Sequence, residues 1–231
     1  MRKVLLGFVI ILAAVALLAQ FILPAIATSA IKAKVVSRLS TDDVDVSMQS
    51  DPNVLLAIGD IDKMNIVVHR ATIGAVHLRD LTLQGKKVHI DMASFLEDQA
   101  VSVSHAEQLS LRGVIGENEL RRVLEEKISR LDNVEVRITP DGITATANTK
   151  LFGRKADIAL TGKVVEDEGT LFIKMTSLNI KNALIGTAKL DDMFGNIELL
   201  KAEKMPMGLK ITNIVHQEGE VIIEAERRPD K

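Results

Sequence analysis

The sequence predicts an α+β protein in which an N-terminal membrane helix precedes a long, curved, mostly antiparallel sheet that wraps one or two amphipathic helices. Three observations support this fold class. A long apolar segment follows the first three residues, apolar and polar residues alternate through most of the 231-residue chain, and a helical period interrupts the alternation near the middle. A period of two is typical of half-buried strands, and a period near 3.6 is typical of helices.

The composition argues against several classes of function. The formal net charge is −2, and no run of Lys and Arg forms the basic stripe typical of nucleic-acid binding, so we expect no nucleic-acid partner. The chain contains no Cys, Trp or Tyr. It therefore forms no disulfide or thiolate metal site, and it offers few aromatic rings on which a base or a sugar could stack.

The N-terminal segment has the length and composition of a membrane-spanning helix. Arg2 and Lys3 precede an apolar run at residues 4–23, which only Gln20 interrupts. A helix of about 20 residues covers about 30 Å, the thickness of the apolar core of a bilayer. The basic flank predicts that the N-terminus faces the cytoplasm. The residues expected to contact the bilayer are Val4, Leu5, Leu6, Phe8, Ile10, Leu17, Phe21 and Leu23.

Two interpretations of this segment remain open. Ala25-Ile26-Ala27, after the helix breaker Pro24, has the pattern of a signal-peptide cleavage site, and cleavage would give a secreted protein. The apolar run exceeds the roughly 7–15 residues of a signal peptide, which favours an uncleaved anchor in the cytoplasmic membrane and a domain in the periplasm or cell envelope. The predicted divisions are an anchor or signal peptide at 1–27, a juxtamembrane helix at 28–41 and a single lipid-binding-like β-rich domain at 42–231.

The first half of this domain is predicted to consist of strands around one short helix. Asp51 is a favourable N-cap, Pro52 is a favourable first helical residue, and Gly59 ends the helix. A change of phase in the alternation predicts a β-bulge near Asp80. The strands are predicted at residues 42–49, 61–69, 76–83, 87–92 and 101–115.

The second half begins with the best amphipathic helix, predicted at residues 116–131. Its apolar stripe contains Leu120, Val123, Leu124 and Ile128, and we expect the stripe to pack on the inner face of the sheet, with the membrane surface as the alternative. Pro140-Asp141-Gly142 predicts a turn. Strands follow at 134–138, 143–151, 156–164 and 171–180, then an ambiguous, partly helical stretch at 182–203 and a closing hairpin at 209–215 and 221–226.

No set of residues has the spacing of an active site. The five histidines include no pair four residues apart, and the sequence contains neither H-E-x-x-H nor G-x-S-x-G nor a glycine-rich phosphate loop. Ser104 and His105 point to opposite faces of a strand, so they cannot act as a nucleophile and its base. We therefore predict a protein that is not an enzyme and that binds no cofactor or metal.

An ordered series of short motifs runs from about Val44 to the end of the chain. It comprises Ser50-Asp51-Pro52, Leu55-Leu56, Gly59-Asp60-Ile61-Asp62, residues 64–69, 73–74 and 76–83, Glu119-Leu120, residues 134–138, Gly142-Ile143, Phe152-Gly153-Arg154 and Leu209-Lys210-Ile211-Thr212. The series resembles the LmeA-like phospholipid-binding family of bacterial envelope proteins. The resemblance implies a fold similar to tubular lipid-binding domains, in which a twisted sheet wraps a long helix around an apolar cavity. It implies no catalytic residues.

We therefore expect a non-enzymatic envelope protein that holds acyl chains of a phospholipid or glycolipid precursor in an apolar groove, with possible roles in lipid transfer or glycolipid biogenesis. Each buried CH₂ contributes about 0.8 kcal/mol, so no charged cluster is needed. The candidate groove residues are Leu55, Leu56, Ile58, Leu120, Val123, Leu124 and Ile128, with Phe95, Leu96, Met193 and Phe194 at the mouth. The alternatives are an ordinary filled core for these residues and, for the protein, an accessory module that binds an unknown envelope protein without lipid.

Overall fold

A computed structural model of the chain describes residues 2–39, 41–74, 76–92, 94, 102–128, 131–151, 154–181 and 196–227, without the side chains of residues 2–19, 38, 150, 151, 154, 155 and 181. The helices that the structure describes over their full length are α1 (Arg2–Leu39), α2 (Glu117–Lys127) and the 3₁₀ turns η1 (Asn53–Ile58), η2 (Ala202–Lys204) and η3 (Pro206–Gly208). The strands are β1 (Val44–Gln49), β2 (Asp60–Ile73), β3 (Val76–Ile90), β4 (Val103–Gly116), β5 (Asp132–Thr139), β6 (Gly142–Leu151), β7 (Arg154–Asp167), β8 (Thr170–Lys181), β9 (Ile197–Leu200), β10 (Lys210–Gln217) and β11 (Glu220–Glu226).

The described strands form two sheets, where the sequence predicted one. The first has the order β1-β2-β3-β4-β11-β10, and the second is a meander in the order β5-β6-β7-β8-β9. The pairs β1–β2 and β10–β11 are antiparallel, as are all four pairs of the second sheet. The α+β class and the predicted hairpins are therefore confirmed. Alternation marks each strand, but it does not specify which strands share a sheet.

The chain divides into two compact units. The first comprises Met1–Val68, Thr82–Ser110 and Arg227–Lys231, and the second comprises His69–Leu81 and Leu111–Glu226. The prediction of one β-rich domain at 42–231 stays a prediction.

The core of the second unit confirms the predicted stripe on the central helix. Leu120, Val123 and Leu124 of α2 are at most 1% exposed. Glu117 lies in the first turn and Lys127 in the last, where each charge is favourable to the helix dipole. The Glu117 carboxylate also accepts the N–H of Ile138 at 2.9 Å. Helix α2 is therefore fixed to β5 by hydrophobic burial on one face and by a charged hydrogen bond at its start.

Three local predictions are wrong. The predicted short helix is present as the 3₁₀ turn η1, but its N-cap is Pro52 rather than Asp51, and no side chain caps it, because an extended Pro52 carries the chain into the turn. Pro24 lies inside α1 without ending it. Residues 76–90 form one strand, β3, instead of two, because a left-handed Lys87 (φ 49°) absorbs the irregularity within the strand. The buried positions do change phase between Leu78 and Leu81, as the predicted bulge requires.

The predicted N-terminal anchor is only partly described. Backbone from Arg2 to Leu39 is one helix, but the side chains of Val4, Leu5, Leu6, Phe8, Ile10 and Leu17 lie outside the described part. Among the residues that the structure describes, no helix combines the length and hydropathy needed to cross a bilayer.

Candidate functional site

The first unit contains an apolar cavity, and α1 supplies one of its walls. The wall is a single stripe on the helix surface. Its members follow the spacing i, i+3, i+4, i+7, i+8, which places them on one helical face. They are Leu23, Ile26, Ala27, Ala30 and Ile31. Two alanines in this stripe leave room between the helix and the elements beside it.

The opposite wall comes from strands and from η1. Met48 of β1, Leu56 of η1, Ile61 of β2 and Ile90 of β3 are each at most 6% exposed. Ala57, Gly59 and Met92 complete the lining, and the cavity has a volume of about 190 Å³. Every lining side chain is apolar, so the cavity suits a hydrocarbon and offers no group for chemistry. Ile26 is 57% exposed, so this wall reaches the protein surface.

A polar clamp holds η1 against α1. The N–H of Asn53 donates to Oε1 of Gln20 at 2.9 Å, and Nδ2 of Asn53 donates to the main-chain carbonyl of Gln20 at 2.9 Å. That carbonyl would normally accept the N–H of residue 24, but Pro24 has none. Asn53 therefore satisfies a carbonyl that the proline leaves without its helical partner. The same side chain accepts the N–H of Ser50 at 3.2 Å.

Gly59 joins η1 to the sheet at the back of the cavity. Its φ of 88° ends the 3₁₀ turn in the left-handed conformation, and its carbonyl accepts the N–H of Ile90 at 2.9 Å. A Cβ at this position would overlap the carbonyl oxygen of Ile90. Glycine is therefore required both by the backbone conformation and by the close approach of β3.

The described members of the predicted groove fall into two groups, one in each compact unit. Leu56 lines the cavity of the first unit, Leu55 is half-buried, and Ile58 is 57% exposed. The residues of α2, namely Leu120, Val123, Leu124 and the half-buried Ile128 at its C-terminus, belong to the second unit. Phe95, Leu96, Met193 and Phe194, predicted at the mouth, lie outside the described residues. The assignment of lipid contacts to any of these side chains stays a prediction.

Sequence reasoning missed most of the cavity. It placed Leu23 in the anchor, and it assigned Ile31 to a helix face and Met48, Ile61 and Ile90 to strands rather than to a groove. The only signal was the 23-26-27-30-31 spacing, which continues the apolar face of the N-terminal helix beyond the end of the anchor run. Gln20 was noted as an interruption of that run, but its partner lies 33 residues later.

Three of the five histidines contact an acidic side chain. His69 contacts Asp80 at 2.6 Å, His77 contacts Glu126 at 3.2 Å, and His89 contacts Asp60. Within the part of the chain that the structure describes, no three His, Cys, Asp or Glu side chains come together to hold a metal ion. These contacts are hydrogen bonds between surface side chains, two of them between β2 and β3 and one between β3 and α2.

His216 is different, because its ring accepts a main-chain hydrogen bond. The N–H of Val164 donates to Nε2 at 3.0 Å, which requires an unprotonated nitrogen. Partial burial, and to a lesser degree the nearby Lys163, holds the pKa of His216 below its ordinary value of 6.5. The neutral ring is therefore favoured more strongly in the folded state than in the unfolded state.

This difference predicts a loss of stability in mild acid. As the pH falls through 6.5 towards the folded pKa, the unfolded state takes up the proton first, so the free energy of unfolding decreases. We expect a decrease below about 1 kcal/mol between pH 7 and 5, because the ring is only half-buried. Urea midpoints at both pH values measure it. The His216→Gln variant should show a smaller decrease of the urea midpoint between these pH values. The control His105→Gln, at an exposed position, should show the same decrease as the wild type. Equal decreases in all three proteins would contradict the assignment to His216.

Comparison with known proteins agrees with an apolar ligand. A family model described as LmeA-like phospholipid-binding matches residues 18–226, a range that includes every residue of the cavity. No curated protein and no solved structure matches the chain. The resemblance drawn from the sequence motifs is thereby confirmed, and the family is one defined by binding. The chain belongs to the LmeA-like phospholipid-binding family.

Proposed function

We propose that this protein binds phospholipid, or a glycolipid precursor with similar acyl chains, by enclosing part of an acyl chain in the cavity of the first unit. The observation that carries the proposal is the cavity of about 190 Å³ with a wholly apolar lining. Each methylene that leaves water for such a site gains about 0.8 kcal/mol. Binding therefore needs no catalytic group, cofactor or metal.

The size of the cavity limits what it can enclose. Pockets for drug-sized ligands usually occupy about 300–1,000 Å³, and a dry apolar cavity of about 150 Å³ accommodates a benzene ring. A cavity of about 190 Å³ therefore takes a short stretch of one chain, while the head group and the remaining hydrocarbon stay outside. This arrangement suits a protein that holds a lipid at the surface of a bilayer and, by extension, a protein that transfers the lipid.

We propose further that the N-terminal helix is retained as an anchor in the cytoplasmic membrane, with the rest of the chain on the extracytoplasmic side. Cleavage after Ala27 would remove three members of the cavity wall, Leu23, Ile26 and Ala27 itself. It would also remove Gln20, which holds η1 through two hydrogen bonds. The construction of the cavity supports the anchor over the signal peptide.

Filling the cavity tests lipid binding. We expect Ala27→Leu to reduce the phospholipid retained by the full-length chain by about tenfold or more, because three added carbons occupy the space of the acyl segment. Native mass spectrometry of detergent-purified protein, with lipid extraction, measures the retained lipid. Ala33→Leu is the matched control, since Ala33 is an exposed alanine of α1 outside the cavity.

The free energy of unfolding of Ala27→Leu is a second, independent test of the cavity. A leucine that enters an empty apolar cavity raises the free energy of unfolding by about 0.5–2 kcal/mol, whereas one forced into a filled core lowers it by about 1–3 kcal/mol. Wild-type protein that stays free of lipid when offered phospholipid, or equal lipid retention in both variants, would overturn the proposal. The accessory-module interpretation would then replace it.

A further inference from the structure

The exposed apolar side chains of the described residues are concentrated beside the cavity. Only six large apolar residues of this part of the chain are strongly exposed, and five belong to α1 or η1. These five, here called the apolar rim, are Phe21 (78%), Ile22 (51%), Ile26 (57%), Val54 (46%) and Ile58 (57%); the sixth is Val215. Single exposed apolar residues are normal on a protein surface, but a group beside an apolar cavity indicates an interaction surface.

The clamp between Gln20 and Asn53 fixes the position of η1 along α1. Both hydrogen bonds reach residue 20, which lies within the apolar run at residues 4–23 and three residues before its end. At 1.5 Å per residue, Gln20 lies about 4.5 Å along the helix axis from the end of that run. The 3₁₀ turn is thus held at the level where the apolar segment ends, although it is far away in sequence.

The continuity of α1 identifies what covers the rim. The helix extends without interruption from Leu39 back to Arg2, and Phe21 and Ile22 are themselves near the end of its apolar run at residues 4–23. A bilayer around that run has its interface near Leu23, where Val54 and Ile58 of η1 are held. No basic residue occurs in η1, so insertion of apolar side chains, rather than attraction to anionic lipid, accounts for the contact.

We propose that η1 is a second membrane contact of this protein, and that the apolar rim is inserted in the bilayer interface so that the cavity opens towards the acyl chains. Ile26 connects the two features, because it belongs to the rim and also lines the cavity. An acyl chain then enters the cavity without crossing water. The inference rests on the proposed anchor and on the lipid-binding role of the cavity, and it adds the surface through which lipid enters.

Single tryptophans test this contact, because the chain has no native tryptophan. The full-length chain is reconstituted in phosphatidylcholine vesicles whose acyl chains are brominated, with Val54→Trp, Ile58→Trp, Phe21→Trp or Val215→Trp. All four variants also carry Ala27→Leu, so that a lipid bound in the cavity does not cause the quenching. We expect quenching at positions 54, 58 and 21 to exceed that at Val215→Trp by at least about twofold, as for side chains at the boundary of head groups and acyl chains.

The controls separate this inference from the anchor and from lipid binding. Quenching at position 21 alone would overturn the η1 contact while leaving the anchor in place. Equal quenching at positions 54, 58 and 215 would also overturn it. Strong quenching at 54 and 58, combined with wild-type protein that retains no phospholipid, would support the docking surface and reject the cavity as the lipid site. Raising the salt concentration should leave the quenching unchanged, and a loss with salt would contradict apolar insertion.

Discussion

Replacing Gly59 with alanine is expected to lower the free energy of unfolding by about 3 kcal/mol or more and to abolish phospholipid retention. Gly59 has a φ of 88°, and an added Cβ would overlap the main-chain oxygen of Ile90. A main-chain oxygen cannot move aside as a flexible side chain can, so either η1 or β3 has to shift. Both elements line the cavity, and the shift would change its shape. Urea unfolding and native mass spectrometry measure the two effects.

Gly219→Ala is the matched control for this substitution. Gly219 has a similar φ of 79°, but a Cβ there meets nothing within 4 Å. Its cost is therefore limited to the left-handed backbone conformation, about 1–2 kcal/mol. The difference between the two variants isolates the steric contact with Ile90. Equal destabilisation, or full lipid retention by Gly59→Ala, would show that the junction of η1 and β3 does not determine the cavity.

Leu124→Ala is expected to lower the free energy of unfolding by about 2–5 kcal/mol. Leu124 is 1% exposed in the core of the second unit, so truncation removes buried hydrocarbon and leaves a void. Phospholipid retention by the folded protein should stay unchanged, because every residue that lines the cavity belongs to the first unit. Denaturant titration measures the stability, and lipid extraction from folded protein measures the retention.

Glu125→Ala controls for changes in helix propensity. Glu125 is the next residue of α2 and is exposed, so its replacement should change the stability by no more than about 0.5 kcal/mol. A folded Leu124→Ala protein that loses its lipid would contradict the assignment of the site to the first unit. It would instead favour the groove on the central helix that the sequence predicted.

The sequence predicted those features that depend on local periodicity and turn chemistry. The stripe of Leu120, Val123 and Leu124 has a helical period and is buried, and the turn at Pro140-Asp141 joins the strands it was expected to join. Gly59 ends η1, as predicted from its position after a short apolar segment. In each case the residues that determine the structure lie within a few positions of one another.

The cavity could not be predicted in this way, because it depends on contacts between elements that are distant in sequence. Ile61 and Ile90 alternate with polar neighbours as any buried strand residues do, and no period indicates that an empty volume lies between them and α1. The division of the strands into two sheets could not be predicted for the same reason, because strand pairing also depends on contacts between distant elements. Gln20 illustrates the difficulty: it interrupts an apolar run, and only the position of Asn53 in the fold explains why.

The pairing of Pro24 with Asn53 has a consequence for how this family varies. An amino acid with an N–H at position 24 would restore the helical partner of the Gln20 carbonyl, which would then no longer depend on the Asn53 amide for a donor. A shorter side chain at position 53 would leave that carbonyl unpaired beside an apolar cavity, at a cost of about 1–3 kcal/mol. Loss of the donor at position 53 is therefore unfavourable as long as position 24 is proline, so we expect relatives that keep the proline to keep a donor at the turn.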